Sequence, residues 1–114
     1  MKNQLKAEIS LLVYKDSDDH WIAYAPALDL TDYGDSEKDV LRAFETTLEI
    51  FLEDTVRRGT LEKELIRLGW VLSKERFEAP GIPTALLNKY ITKQLKIIDA
   101  PLKFTIDAAQ AHTV

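Results

Sequence analysis

Between Ser36 and Gly59 the apolar residues Val40, Leu41, Phe44, Leu48, Phe51, Leu52 and Val56 recur every three or four positions. That spacing holds one face of an α-helix for about six turns. Ser36 is a good N-cap, and Asp39 three residues on completes a capping-box-like pair. Arg57 and Arg58 fall in the last turn, where the helix dipole favours cations, and Gly59 suits the position just past the end. The spacing predicts a helix over 37–58. A helix this long and one-sided must bury its stripe against something, and the flanking segments supply it.

Leu5 to Tyr14 alternates Ala7, Ile9, Leu11 and Val13 with Glu8, Ser10, Leu12 and Tyr14, the period of a half-buried strand. Lys15 to His20 is rich in Asp and Ser, whose side chains bond nearby backbone and favour a turn. Trp21 to Ala25 is a second strand, closed by Pro26. The pair reads as a β-hairpin, and Ala27 to Tyr33 as a third, short, irregular strand. After the long helix, Leu61 to Leu68 is a second helix ended by Gly69, and Trp70 to Ser73 a further strand. The expected fold class is α+β: a two-layer sandwich of a three- to four-stranded antiparallel sheet with the long helix on one face.

Glu78-Ala79-Pro80-Gly81-Ile82-Pro83 breaks regular structure. It divides the chain into a body at 1–77, a linker at 78–83 and a C-terminal extension at 84–114. Residues 1–83 carry 11 basic and 17 acidic side chains, whereas 84–114 carry four Lys and two Asp. In the extension, Ala85 to Ile91 reads as a short helix. Leu95 and Ile97, then Leu102, Phe104 and Ile106, alternate like two strands around Ala100-Pro101. Such strands would cover the open sheet face or join a second chain. Lys89, Lys93 and Lys96 could instead touch phosphate.

The chain has 114 residues, no Cys and a net charge of -4. Disulfides and thiolate metal sites are excluded. No apolar run approaches the ~18 residues of a membrane span, and Met1 to Glu8 carries no signal-peptide core, so a cytoplasmic protein is the expectation. Without a G-x-G-x-x-G or a P-loop, no cofactor is expected. His20 and His112 are the two histidines, and His112 stands two residues from the last, so no Ser/His/acid triad can be assembled.

A symmetric six-residue turn would place Tyr14 opposite Trp21, Val13 opposite Ile22, Leu12 opposite Ala23 and Leu11 opposite Tyr24. Facing residues share a side of the sheet. Ala7, Ile9, Leu11, Val13, Ile22 and Tyr24 then suit the helix. Tyr14, Trp21 and Ala23 lie on the far side, which nothing in the body covers. That far side is a candidate partner-binding surface; the alternative is that the C-terminal extension covers it. Glu45, Glu49 and Glu53 form a second candidate, an acidic strip along the helix for a basic partner. It also reads as an ordinary solvated face, with Glu53 partly offset by Arg57. Asp16, Asp18, Asp19 and His20 could together hold a hard cation that activates water, the basis of a metal-dependent nuclease alternative. The EF-hand pattern fails there, because Ala27 stands where its last Glu belongs.

Asp18-Asp19, Trp21, Ala23, Pro26 and Leu28, then Gly34-Asp35-Ser36-Glu37 with Val40 and Ala43, resemble the N-terminal domain of the HicB family over residues 9–58. That family is the antitoxin half of a bacterial toxin–antitoxin pair. The resemblance implies a sheet similar to part of a double-stranded-RNA-binding or ribonuclease-H-like fold. It also implies a role: occluding the active site of a small, basic, RNA-cleaving HicA-like toxin. Some HicB members add a DNA-binding module. A ribbon-helix-helix needs two helices after its strand, and only eight residues follow Ile106. DNA binding is therefore not expected. The expectations are a non-enzymatic antitoxin that forms homo-oligomers, against a metal-dependent nuclease or a structural homodimer without a toxin partner.

Overall fold

The computed structural model describes residues 4–73, 77–82 and 97–107, with side chains described at 7–73 and 77–82. The elements run β1 (Gln4–Lys15), β2 (Trp21–Ala25), β3 (Leu30–Gly34), α1 (Glu37–Arg58), α2 (Leu61–Arg67), β4 (Val71–Leu72), β5 (Phe77–Glu78) and β6 (Ile97–Asp107). The architecture is α+β. The main sheet is antiparallel in the order β3-β2-β1-β6, and β4 and β5 form a separate two-stranded sheet. Among the described residues no helix is long and apolar enough to cross a membrane.

The helix that the periodicity predicts over 37–58 forms at those bounds. Ser36 is extended at φ -147, and its hydroxyl accepts from the Asp39 amide at 3.0 Å. Gly59 is left-handed at φ 68, and its amide closes on the carbonyls of Thr55 and Val56. Val40, Phe44, Leu48 and Thr55 are buried on one side of α1. Val40, Phe44 and Leu48 join Ala7, Ile9, Leu11 and Val13 of β1 and Ala23 and Ala25 of β2 in one core. Ala23 and Ala25 are small and fully buried in this core. Leu61 and Leu65 of α2 with Trp70 and Phe77 close the far end of this core. The Trp70 indole donates to the Ala27 carbonyl at 2.7 Å and so fixes the turn between β2 and β3.

The hairpin register differs from the symmetric expectation by one residue. Lys15 pairs with Trp21, Tyr14 with Ile22, Val13 with Ala23 and Leu12 with Tyr24. The reason is the turn. Asp16 Oδ1 accepts from the amides of Asp18 and His20, each at 2.9 Å, and the Asp16 amide donates to the His20 carbonyl at 2.8 Å. Asp19 supplies the left-handed residue at φ 67, a conformation Asp tolerates better than most. The loop is thereby five residues long, and Lys15 becomes part of the strand. A one-residue slip turns a whole strand over. The β1 assignment stands, but β2 is reversed: Trp21 and Ala23 lie on the helix side, and Ile22 and Tyr24 on the other.

The strand expected at Trp70–Ser73 is shorter and does not enter the main sheet; it pairs with β5. The fourth strand of the main sheet is β6, from the C-terminal segment, paired with β1 from Gln4↔Asp107 to Tyr14↔Ile97. Two strands were expected around Ala100-Pro101, but one continuous strand passes through it. Pro101 sits opposite Ser10 in a strand at the end of the sheet order, where a missing amide need not break the ladder. The helix expected at 85–91, with Lys89, Lys93, Lys96 and His112, lies outside the described residues.

Candidate functional site

The structure separates the first candidate surface. Tyr14 is half-buried on the face away from α1. Trp21 packs against the core, and Ala23 is fully buried within it. These three residues therefore form no common surface, and Ala23 has none to offer a partner. Nor is the face away from α1 open at its centre, because Leu12 there is 1% exposed and Ile22 9%. The expectation that this face lacks cover is corrected.

The acidic turn is also committed. Asp16 spends one carboxylate oxygen on two backbone amides, and Asp18, Asp19 and His20 are exposed around it. Lys15 pairs with Asp19 at 3.3 Å. Among the described residues no three His, Asp or Glu side chains are grouped to hold a metal ion. The chemistry of the cluster is thus that of a turn whose polar side chains replace missing backbone bonds.

The second candidate behaves differently. Glu45, Glu49 and Glu53 are all exposed along α1, and none has an ion pair or hydrogen bond among the described residues. Arg57 does not offset Glu53, as the spacing suggested. It pairs with Asp54 at 2.9 Å, and Arg58 reaches the same Asp54 oxygen at 3.1 Å. The strip therefore keeps its charge.

Beside the strip lies a groove of about 510 Å³ between α1 and the start of β3. Leu30, Thr47, Ile50 and Phe51 line it, and Glu53, Asp54 and Arg57 border it. Ile50 is 60% exposed here although it is large and apolar. Positions 47, 50, 51 and 54 share one helix face by their spacing, and Glu53 belongs to both the groove and the strip. β3 is positioned by Gly34, where an added Cβ would lie 2.7 Å from the Val40 amide nitrogen. No residue but glycine lets the strand end this close to the first turn of α1.

Acidic residues are concentrated along this stretch of the sequence. Residues 29–54, which contain β3 and most of α1, carry nine acidic and two basic side chains, a net of -7. The rest of the chain is net positive, since the total is -4. In α2, Arg67 bonds Glu64 at 2.7 Å and holds its carboxyl below the usual range. The groove itself was not legible beforehand: it depends on β3 lying at the end of the sheet order, which no local pattern dictates.

No protein-family model, curated protein or solved structure matches this chain.

Proposed function

We propose that this chain is a non-catalytic binding protein that neutralises a small basic partner, an antitoxin of the HicB type acting on a HicA-like RNA-cleaving toxin. The observation that carries the reading is the acidic flank of β3 and α1, net -7 over residues 29–54, with Glu45, Glu49 and Glu53 exposed and unpaired among the described residues. An enzyme that binds RNA carries a basic site, and a complementary acidic surface both attracts it and competes with its substrate. The apolar groove at Leu30, Ile50 and Phe51 adds the desolvated contact that charge alone does not supply. The partner-binding residues are thus Glu45, Glu49 and Glu53 of the original candidates, with Ile50 and Phe51 added. Tyr14, Trp21 and Ala23 are not among them.

The test is genetic and direct. The gene adjacent to this one in its own genome is expressed alone and then together with this chain. The reading expects a small basic product that arrests growth by itself, with growth restored on co-expression. A neighbour that is harmless, or one whose arrest persists at equal expression, contradicts it.

A further inference from the structure

Strand β3 stands at the end of the main sheet, so one of its edges has no strand beside it among the described residues. Exposed edges invite pairing with another chain, and proteins normally blunt them. Three features decide what this edge accepts. First, Leu30 and Asp32 pair with Ala25 and Ala23, both fully buried in the core, so both lie on the helix side, next to the groove. Second, Asp32 is half-buried, and its Oδ2 is buried without a hydrogen-bond partner among the described residues. A buried carboxylate oxygen left unsatisfied is costly, and a cationic donor relieves that cost. Third, the flank is net -7.

We infer that β3 is a docking edge for an extended basic segment of the partner protein, which adds a fifth strand to the sheet. This rests on the reading above that the chain binds a basic protein, and it specifies how. In an added strand, side chains two residues apart point the same way. The segment therefore carries an apolar residue that enters the groove beside Leu30 and Phe51, and two positions away a Lys or Arg that reaches Asp32. Backbone bonds along β3 supply affinity, and these two side chains supply selection. A second copy of this chain is a poor occupant. It would bring another flank of net -7 against the first, and an inward-facing Asp on an edge strand opposes pairing with an equally acidic strand.

The experiment is a titration of the full-length, isotope-labelled chain with the peptide acetyl-Thr-Lys-Thr-Val-Thr-Lys-Thr-amide, followed by amide chemical shifts. The peptide reads the same in both directions, so either strand orientation places Lys two residues from Val. Saturable shifts are expected at residues 30–34 and 47–57. Asp32→Asn, close in shape and free of charge, is expected to weaken binding about tenfold, the size of a charge-assisted hydrogen bond. Ile50→Ser, at an exposed position that leaves the core intact, is expected to weaken it as well. A peptide with Glu in place of both Lys should not bind. Shifts confined to other strands, equal binding by Asp32→Asn and the parent chain, or equal binding of the Glu peptide would each overturn the edge assignment. So would concentration-dependent shifts at 30–34 without peptide, which would give the edge to a second copy. The outcomes separate this inference from the function. If the Asp32→Asn chain still neutralises the neighbouring gene product as well as the parent does, the edge assignment fails and the function stands. If the peptide docks on β3 but the neighbour is not neutralised, the function fails and the edge stands.

Discussion

Phe44→Ala is expected to destabilise the fold by about 3–5 kcal/mol. Phe44 is fully buried and stands at the centre of the stripe that α1 lays on the sheet. It shares one core with Ala23 and Ala25 of the sheet, which have no longer side chains to move into the space. The cavity would therefore persist, and the cost falls at the upper end of what large-to-small core changes show. For a domain of this size the thermal midpoint should drop by roughly 12–40 °C, taking about 4–8 °C per kcal/mol. Circular dichroism melts check this. A loss under about 1.5 kcal/mol, less than the usual cost of such a truncation, would mean that α1 does not rest on β1 and β2 through this residue.

Gly34→Ala is the second large effect, and it acts through backbone rather than packing. The new methyl would lie 2.7 Å from the Val40 nitrogen and 2.9 Å from its Cα. Neither atom can rotate away, because both belong to the first turn of α1. The strand end and the helix must move apart, at a cost of about 1–3 kcal/mol for an overpacked site. The same change at Gly81, where an added Cβ meets nothing within 4 Å, should stay within about 0.5 kcal/mol. Urea denaturation of the two variants side by side reads the difference. Equal stabilities would remove the close approach that sets β3 against α1.

The parts legible in the sequence are those decided by local chemistry. The bounds of α1 follow from the Ser36 cap, the apolar stripe and Gly59, all within one segment. The alternation of Ala7, Ile9, Leu11 and Val13 correctly gave the helix side of β1. What failed was decided by closure. A turn of five residues instead of six, drawn in by the Asp16 carboxylate and the positive φ of Asp19, reversed every side chain of β2. The aromatic face built on Trp21 disappeared with it. Two signals were present in the turn. Asp16 is an acceptor that can bond amides two and four residues on, and Asp tolerates the left-handed region. Pairing between distant segments was not legible either. The run from Ile97 to Asp107 shows strand alternation, but nothing local says that it lies beside β1, or that β3 is left at the sheet's end. Of the candidate site, the acidic strip could be read from the i, i+4 spacing of its Glu residues. The groove and edge beside it arise from strand order.

The strip also gives the sharpest handle on binding. In Glu45→Lys/Glu49→Lys/Glu53→Lys the three positions still repel one another weakly at helical spacing, so stability should change little. The net charge of residues 29–54, however, falls from -7 to -1. The decisive measurement is the association rate of this triple variant with the product of the neighbouring gene, by stopped flow at low and at high salt. Attraction between an acidic flank and a basic partner predicts a rate at least about tenfold below that of the parent chain at low salt, with the gap closing as salt screens the charges. Rates that match at both salt concentrations would show that the acidic flank of β3 and α1 is not where the partner arrives.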